Sequence, residues 1–190
     1  MKLLLTLALL ITASNSKAQS INKIIGENDL VAVLADASNI PLKYRNLVNA
    51  FGLMNISCTA THIGNGYVLT AGHCFWASDQ LMKDLPCSDT TIDWGVREGG
   101  AAPYMKSTCE KIIAAMWSEK NDFAIIKVSP VPQFAIGVEL TRKAIAGDVI
   151  TIFSHPEERP LRWSKTCIVE SQLEPKFSPD ALQHKCDTNP

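Results

Sequence analysis

From Ser57 onward the chain is a succession of short β-prone runs, each closed by a turn signal, and that rhythm limits the folds open to it. Ser57 to Ile63 and Tyr67 to Thr70 flank Gly64-Asn65-Gly66, residues that tolerate positive φ and so predict a hairpin. Thr91 to Arg97 reads as a strand ended by Glu98-Gly99-Gly100. Lys111 to Trp117 and Phe123 to Val128 follow, separated by the polar stretch Ser118 to Asn121. Pro130 and Pro132 open a connector, because proline has no amide hydrogen for a central ladder. Asp148 to Phe153, Trp163 to Glu170 and Leu182 to Cys186 are three further candidates. Helical spacing is weak over Leu42 to Met54, and Ala77 to Leu85 has room for one short helix. Many short strands with regular turns predict an all-β barrel or sandwich. The change in composition over Ser129 to Gly147 divides it into two units, the second much the shorter.

Ahead of these runs lies a processing signal. Lys2 supplies a positive start, Leu3 to Thr12 is uncharged and apolar, and Ser16-Lys17-Ala18 places small residues where a signal peptidase reads. A membrane-crossing helix needs about 20 apolar residues, more than this run has. Residues 1–18 are therefore predicted to be a signal peptide, with a mature chain starting near Gln19 that is secreted or periplasmic. With 46% hydrophobic and 19% charged residues the chain is globular, not disordered. A net charge of -1 points to neither nucleic acid nor an anionic membrane surface as partner.

Secretion changes how the six cysteines are read. Cys58, Cys74, Cys87, Cys109, Cys167 and Cys186 are an even number in an oxidising compartment, as disulfides require. No C-x-x-C or H-x-x-x-H spacing suggests a metal, and His62, His73, His155 and His184 are scattered. Six cysteines allow fifteen pairings, which sequence does not settle. The simplest is successive: 58 with 74, 87 with 109 and 167 with 186.

The segment that carries chemistry runs from Ser57-Cys58-Thr59 through Val68-Leu69-Thr70-Ala71-Gly72-His73-Cys74. A histidine acting as general base must be held at a fixed orientation in a cleft. Here a hairpin delivers it, a neighbouring cysteine can tie its loop back to the first strand, and the small Ala71 and Gly72 let the backbone pack closely. Taken alone, such a histidine is a surface residue beside a structural disulfide. The whole run, however, resembles the histidine motif of trypsin-like serine peptidases, especially bacterial ones related to glutamyl endopeptidases. The Cys58 and Cys74 pair that brackets the loop is part of that likeness.

The resemblance implies a chymotrypsin-like fold of two Greek-key β-barrels over residues 19–190. Its parts are a first barrel over 24–128, a connector over 129–146 and the first part of a second barrel over 147–190. It also implies an aspartate opening an apolar strand, and Asn121-Asp122-Phe123-Ala124-Ile125-Ile126-Lys127-Val128 matches, 49 positions after His73. Asp122 would accept the Nδ1 hydrogen of His73, fix its tautomer and stabilise the imidazolium. Gly147 to Pro156 is similar to the first strand of the second barrel, and Cys186-Asp187-Thr188-Asn189-Pro190 to the approach to the nucleophile loop. Asp187 is near where some relatives place a pocket-floor residue, and is equally a turn aspartate. Lys23-Ile24-Ile25-Gly26 resembles a zymogen activation site, and equally a first strand after a leader.

One departure limits the reading. No Gly-x-Ser-Gly occurs, so no serine is carried over as nucleophile; Ser154 lies on a predicted strand before His155, and Ser171 and Ser178 lack the tight glycine turn. In serine peptidases loss of the nucleophile costs about 10⁶ in rate. The expectation is a secreted endopeptidase acting on polypeptides, monomeric and without metal or organic cofactor, whose serine follows Pro190, so that these 190 residues alone do not cleave peptides. The alternatives are a non-catalytic binding protein on the same fold and a fragment complemented by a second chain.

Overall fold

The computed structural model of the chain describes Ile24 and residues 27–87, 89–100, 102–170 and 183–188. The predicted signal peptide lies outside them, as do Ser171, Ser178 and three of the four residues of Lys23 to Gly26. None of the described helices is long and apolar enough to cross a membrane.

The larger sheet is built from β2 (Phe51–Met54), β3 (Thr59–Gly64), β4 (Tyr67–Thr70), β5 (Met82–Pro86), β6 (Thr91–Trp94), β7 (Met105–Trp117) and β8 (Asp122–Ser129). Its order is β5-β7-β6-β2-β3-β4-β8, and pairing of β7 with β8 closes six of these strands into an antiparallel barrel. Strand β5 lies outside the ring, continuing the line of β6 along the second half of β7. Closure removes the free edges of the six strands and encloses Met54, Val68, Ile92, Trp94, Ile112, Ile126 and Val128. Trp94 is fully buried, so its indole N–H needs a partner; it donates to Ser107 Oγ at 2.8 Å, which donates to the Pro130 carbonyl at 2.7 Å.

The β3–β4 turn has the predicted chemistry, with Gly64, Asn65 and Gly66 all at positive φ. Buried His62 pins this turn. Its Nδ1 donates to the Phe134 carbonyl at 2.6 Å, and its Nε2 accepts the Gly66 amide at 3.0 Å. The two predicted helical segments differ from expectation. Helix spans only α1 (Leu42–Arg45) and a 3-10 turn at Leu47–Ala50, after which Phe51–Met54 is strand. Gly52 sits so close to β6 that a Cβ there would be 2.5 Å from Ile92 and 2.8 Å from Trp94, a contact no local pattern announces. Likewise Met82–Pro86 is strand because β7 offers a ladder, and Pro86 is tolerated because β5 is an edge strand.

A second sheet centres on β10 (Arg162–Glu170). It pairs with β9 (Val149–Ser154), with β1 (Val31–Ala32) at its start and with β11 (Gln183–His184) at its end. The amino-terminal segment thus crosses to the later strands. Val33, Ile40, Val48, Phe51, Phe153 and Leu161 form an apolar cluster joining the two sheets. The cysteines pair successively: Cys58 with Cys74, Cys87 with Cys109 and Cys167 with Cys186.

Candidate active site

Strand register brings the two predicted site residues together. Thr70 of β4 pairs with Ala124 of β8, so the residues just after Thr70 and just before Ala124 emerge at one end of the barrel. His73 opens a 3-10 turn (His73–Phe75) that the Phe75 and Ala77 amides close onto the Gly72 carbonyl at 3.0 and 3.2 Å. The Cys58–Cys74 disulfide ties this turn to the residue preceding β3. Asp122 starts β8, opposite Trp117 across the β7–β8 hairpin. Ser118 holds that hairpin turn, its Oγ accepting the Asn121 amide at 3.1 Å.

The Asp122 carboxylate grips His73 twice. Oδ1 accepts the His73 backbone amide at 2.9 Å and Oδ2 accepts the ring Nδ1–H at 2.7 Å. Burial works against the Asp122 charge, but hydrogen bonds from the His73 ring and amide, the charge on His73 and the Gly72 amide outweigh it. The carboxyl is held below its ordinary value. An ionised carboxylate only accepts, so Nδ1 carries a proton, and in the neutral ring Nε2 then presents the lone pair. The ring is 51% exposed, between two clefts. This is the geometry of a base oriented by a carboxylate, able to take a proton from a hydroxyl and return it to a leaving group.

One cleft, of about 310 Å³, runs between the barrel and the second sheet and is lined by Ser57, Thr59, Thr70, His73, Ser154 and His155. His155, one of the four histidines scattered through the sequence, is buried here. Its amide donates to Thr59 Oγ1 at 2.8 Å, across the two sheets, and its Nδ1 donates to the Arg159 carbonyl at 3.0 Å. Burial lowers the imidazole pKa to about 4, the Arg159 carbonyl opposing this only in part. Below the ordinary value of 6.5 the unfolded chain binds a proton that the folded chain refuses. The contribution is therefore whole above pH 6.5 and is lost as pH falls towards 4, about 3 kcal/mol in all. His155→Gln is expected to flatten this part of the stability profile, read as urea midpoints at pH 7, 5.5 and 4.5 for both proteins.

The other candidates are placed as follows. Asp187 is buried and its Oδ2 accepts the Asp29 amide at 2.6 Å, so this carboxylate anchors the amino-terminal segment. Ser154 ends β9 and lines the cleft. Cys87–Cys109 and Cys167–Cys186 brace β7 and β10.

A closed six-stranded antiparallel barrel with this histidine and aspartate at one end has the architecture of a trypsin-like protease domain. The trypsin family model matches residues 40–166, a span that takes in the whole barrel, His73 and Asp122. The chain belongs to the trypsin family. Among solved structures it is similar to the Rv3671c protease in its inactive form. That likeness has a TM-score of 0.52 at 13% identity, over 77% of this chain and 69% of that one. At that identity the likeness bears on the fold alone. No curated protein matches the sequence.

Proposed function

We propose that the protein is a secreted serine endopeptidase of the bacterial glutamyl-endopeptidase-like branch, in which His73 is the general base and Asp122 its orienting carboxylate. The observation that carries this reading is the double grip of Asp122 on the amide and ring of His73. A binding protein has no physical need for a half-exposed imidazole held in one tautomer. In the reaction, Nε2 of His73 takes the proton of a serine hydroxyl as its oxygen attacks the peptide carbonyl. It then gives that proton to the departing amine, and water hydrolyses the ester by the same route. The nucleophile is a serine in a Gly-x-Ser-Gly turn, a segment these 190 residues do not contain, and no serine among them is assigned the role. The three disulfides and the apolar leader support an oxidising, extracytoplasmic location. Barrel strands β2 to β8 act as the first half of the domain, and β9 to β11 as the start of a second barrel.

The absence of Gly-x-Ser-Gly from the sequence favours one rival, a non-catalytic binding protein on the same fold. A fluorophosphonate probe applied to the protein as its natural host secretes it separates the two. Labelling that disappears in His73→Ala is the expected result. Labelling that survives that substitution overturns the assignment of His73, and an unlabelled natural protein overturns the peptidase reading in favour of the binding protein.

A further inference from the structure

The second cleft beside His73 is larger, about 670 Å³, and is built by the larger sheet and its loops. Its walls include Phe75, Trp76, Met82, Leu85, Ile112 and Trp117, and among the described residues lining it His73 alone carries an ionisable side chain. Two of these residues are not explained by folding. Trp76 is 82% exposed, so its large ring contributes almost nothing to the core. It also sits in the left-handed region at φ 49° and ψ 37°, a conformation that costs a bulky residue free energy. Trp117 is 43% exposed at the end of β7. The two indoles meet edge to face at 6.1 Å, and Trp117 meets the His73 ring the same way at 6.2 Å. The aromatic wall therefore begins at His73 and runs outward without a break.

We propose that this cleft binds one large apolar or aromatic side chain of the polypeptide substrate, flanking the bond presented to His73. Naming a polypeptide as the occupant rests on the peptidase reading, because a chain threaded past His73 must lay a neighbouring side chain along this wall. Apolar walls select the side chain by burial. A lysine or glutamate entering here leaves water without a counter-charge, which is unfavourable. Exposed tryptophans suit the role because they bury a large area at little conformational cost.

The test uses the full chain and short alanine peptides carrying phenylalanine, serine or glutamate at one position. Binding is followed through the indole N–H resonances of Trp76 and Trp117. The phenylalanine peptide is expected to shift both resonances saturably. The serine and glutamate peptides should bind about tenfold more weakly, the effect of one buried apolar side chain. Trp76→Ala should weaken phenylalanine-peptide binding by a similar factor, with Trp76→Phe restoring most of it. Because Trp76 is exposed, its removal spares the core, and Trp117→Ala provides a second variant with the same expected loss. Equal affinity for the three peptides, no binding, or indifference to both tryptophan substitutions overturns the proposal. The two readings fail separately. Selective binding by a protein that no fluorophosphonate labels keeps the cleft and sinks the peptidase, whereas His73-dependent labelling without selectivity does the reverse.

Discussion

Asp122→Asn is expected to lower kcat for peptide hydrolysis about 10⁴-fold while leaving the fold intact. The asparagine Oδ1 can still accept the His73 amide, as Asp122 Oδ1 does at 2.9 Å, so the loop stays in place. Its NH₂ group then faces Nδ1, where a carboxylate oxygen accepted a proton at 2.7 Å. Two donors cannot share that contact, so Nδ1 becomes the acceptor and the ring proton moves to Nε2. A histidine protonated there has no lone pair for the serine hydroxyl. The rate is measured on the protein as its natural host makes it. On the 190-residue chain itself, the Nδ1 proton resonance should be present and should vanish in the variant. Unchanged kcat in Asp122→Asn, with the Nδ1 proton still observed, would show that the carboxylate does not set the tautomer.

Gly72→Ala should damage stability and chemistry together. A Cβ on Gly72 would stand 2.0 Å from the Met116 carbonyl oxygen and 2.8 Å from that of Phe123. Both are backbone atoms of β7 and β8, which cannot turn aside as a side chain can. The turn bearing His73 must lift away from the strand bearing Asp122, or the β7–β8 hairpin must deform. We expect a loss of about 3 kcal/mol, at the upper end for overpacking, read as a lowered urea midpoint with unchanged slope. Displacing the imidazole by about 1 Å should cost roughly 10² in rate in the surviving folded enzyme. Gly137→Ala is the control: a Cβ there meets nothing within 4 Å, and the expected change is within about 0.5 kcal/mol.

The legibility of the sequence follows the range of the interactions involved. The β3–β4 hairpin was readable because its turn needs positive φ and its residues supply it. Strand β8 was readable because Ala124, Ile126 and Val128 alternate inward without interruption. Strand β7 was visible only in its second half. Irregularities between Cys109 and Lys111, and again between Ile112 and Ala114, shift its inward positions to Ser107, Cys109, Ile112 and Ala115. Such bulges break the two-residue period on which strand recognition depends. Strands β1 and β5 were missed because each is extended by a partner distant in sequence, and β2 because weak helical spacing masked a strand that lies between nearby β3 and distant β6.

The chemistry divides along the same line. The residues around His73 and the apolar strand opened by Asp122 are local patterns, so the choice of a proton-handling histidine and a candidate orienting carboxylate was available from the chain alone. Their contact was expected only through the family resemblance; what brings it about is Thr70 lying opposite Ala124 and Gly72 pressing against the β7 and β8 backbone. The aromatic wall was not legible at all, since Trp76 and Trp117 are brought together by barrel closure. Side-chain chemistry and turn preference are written residue by residue. Which side chains meet is decided by register and packing between strands, and those exist only once the barrel has closed.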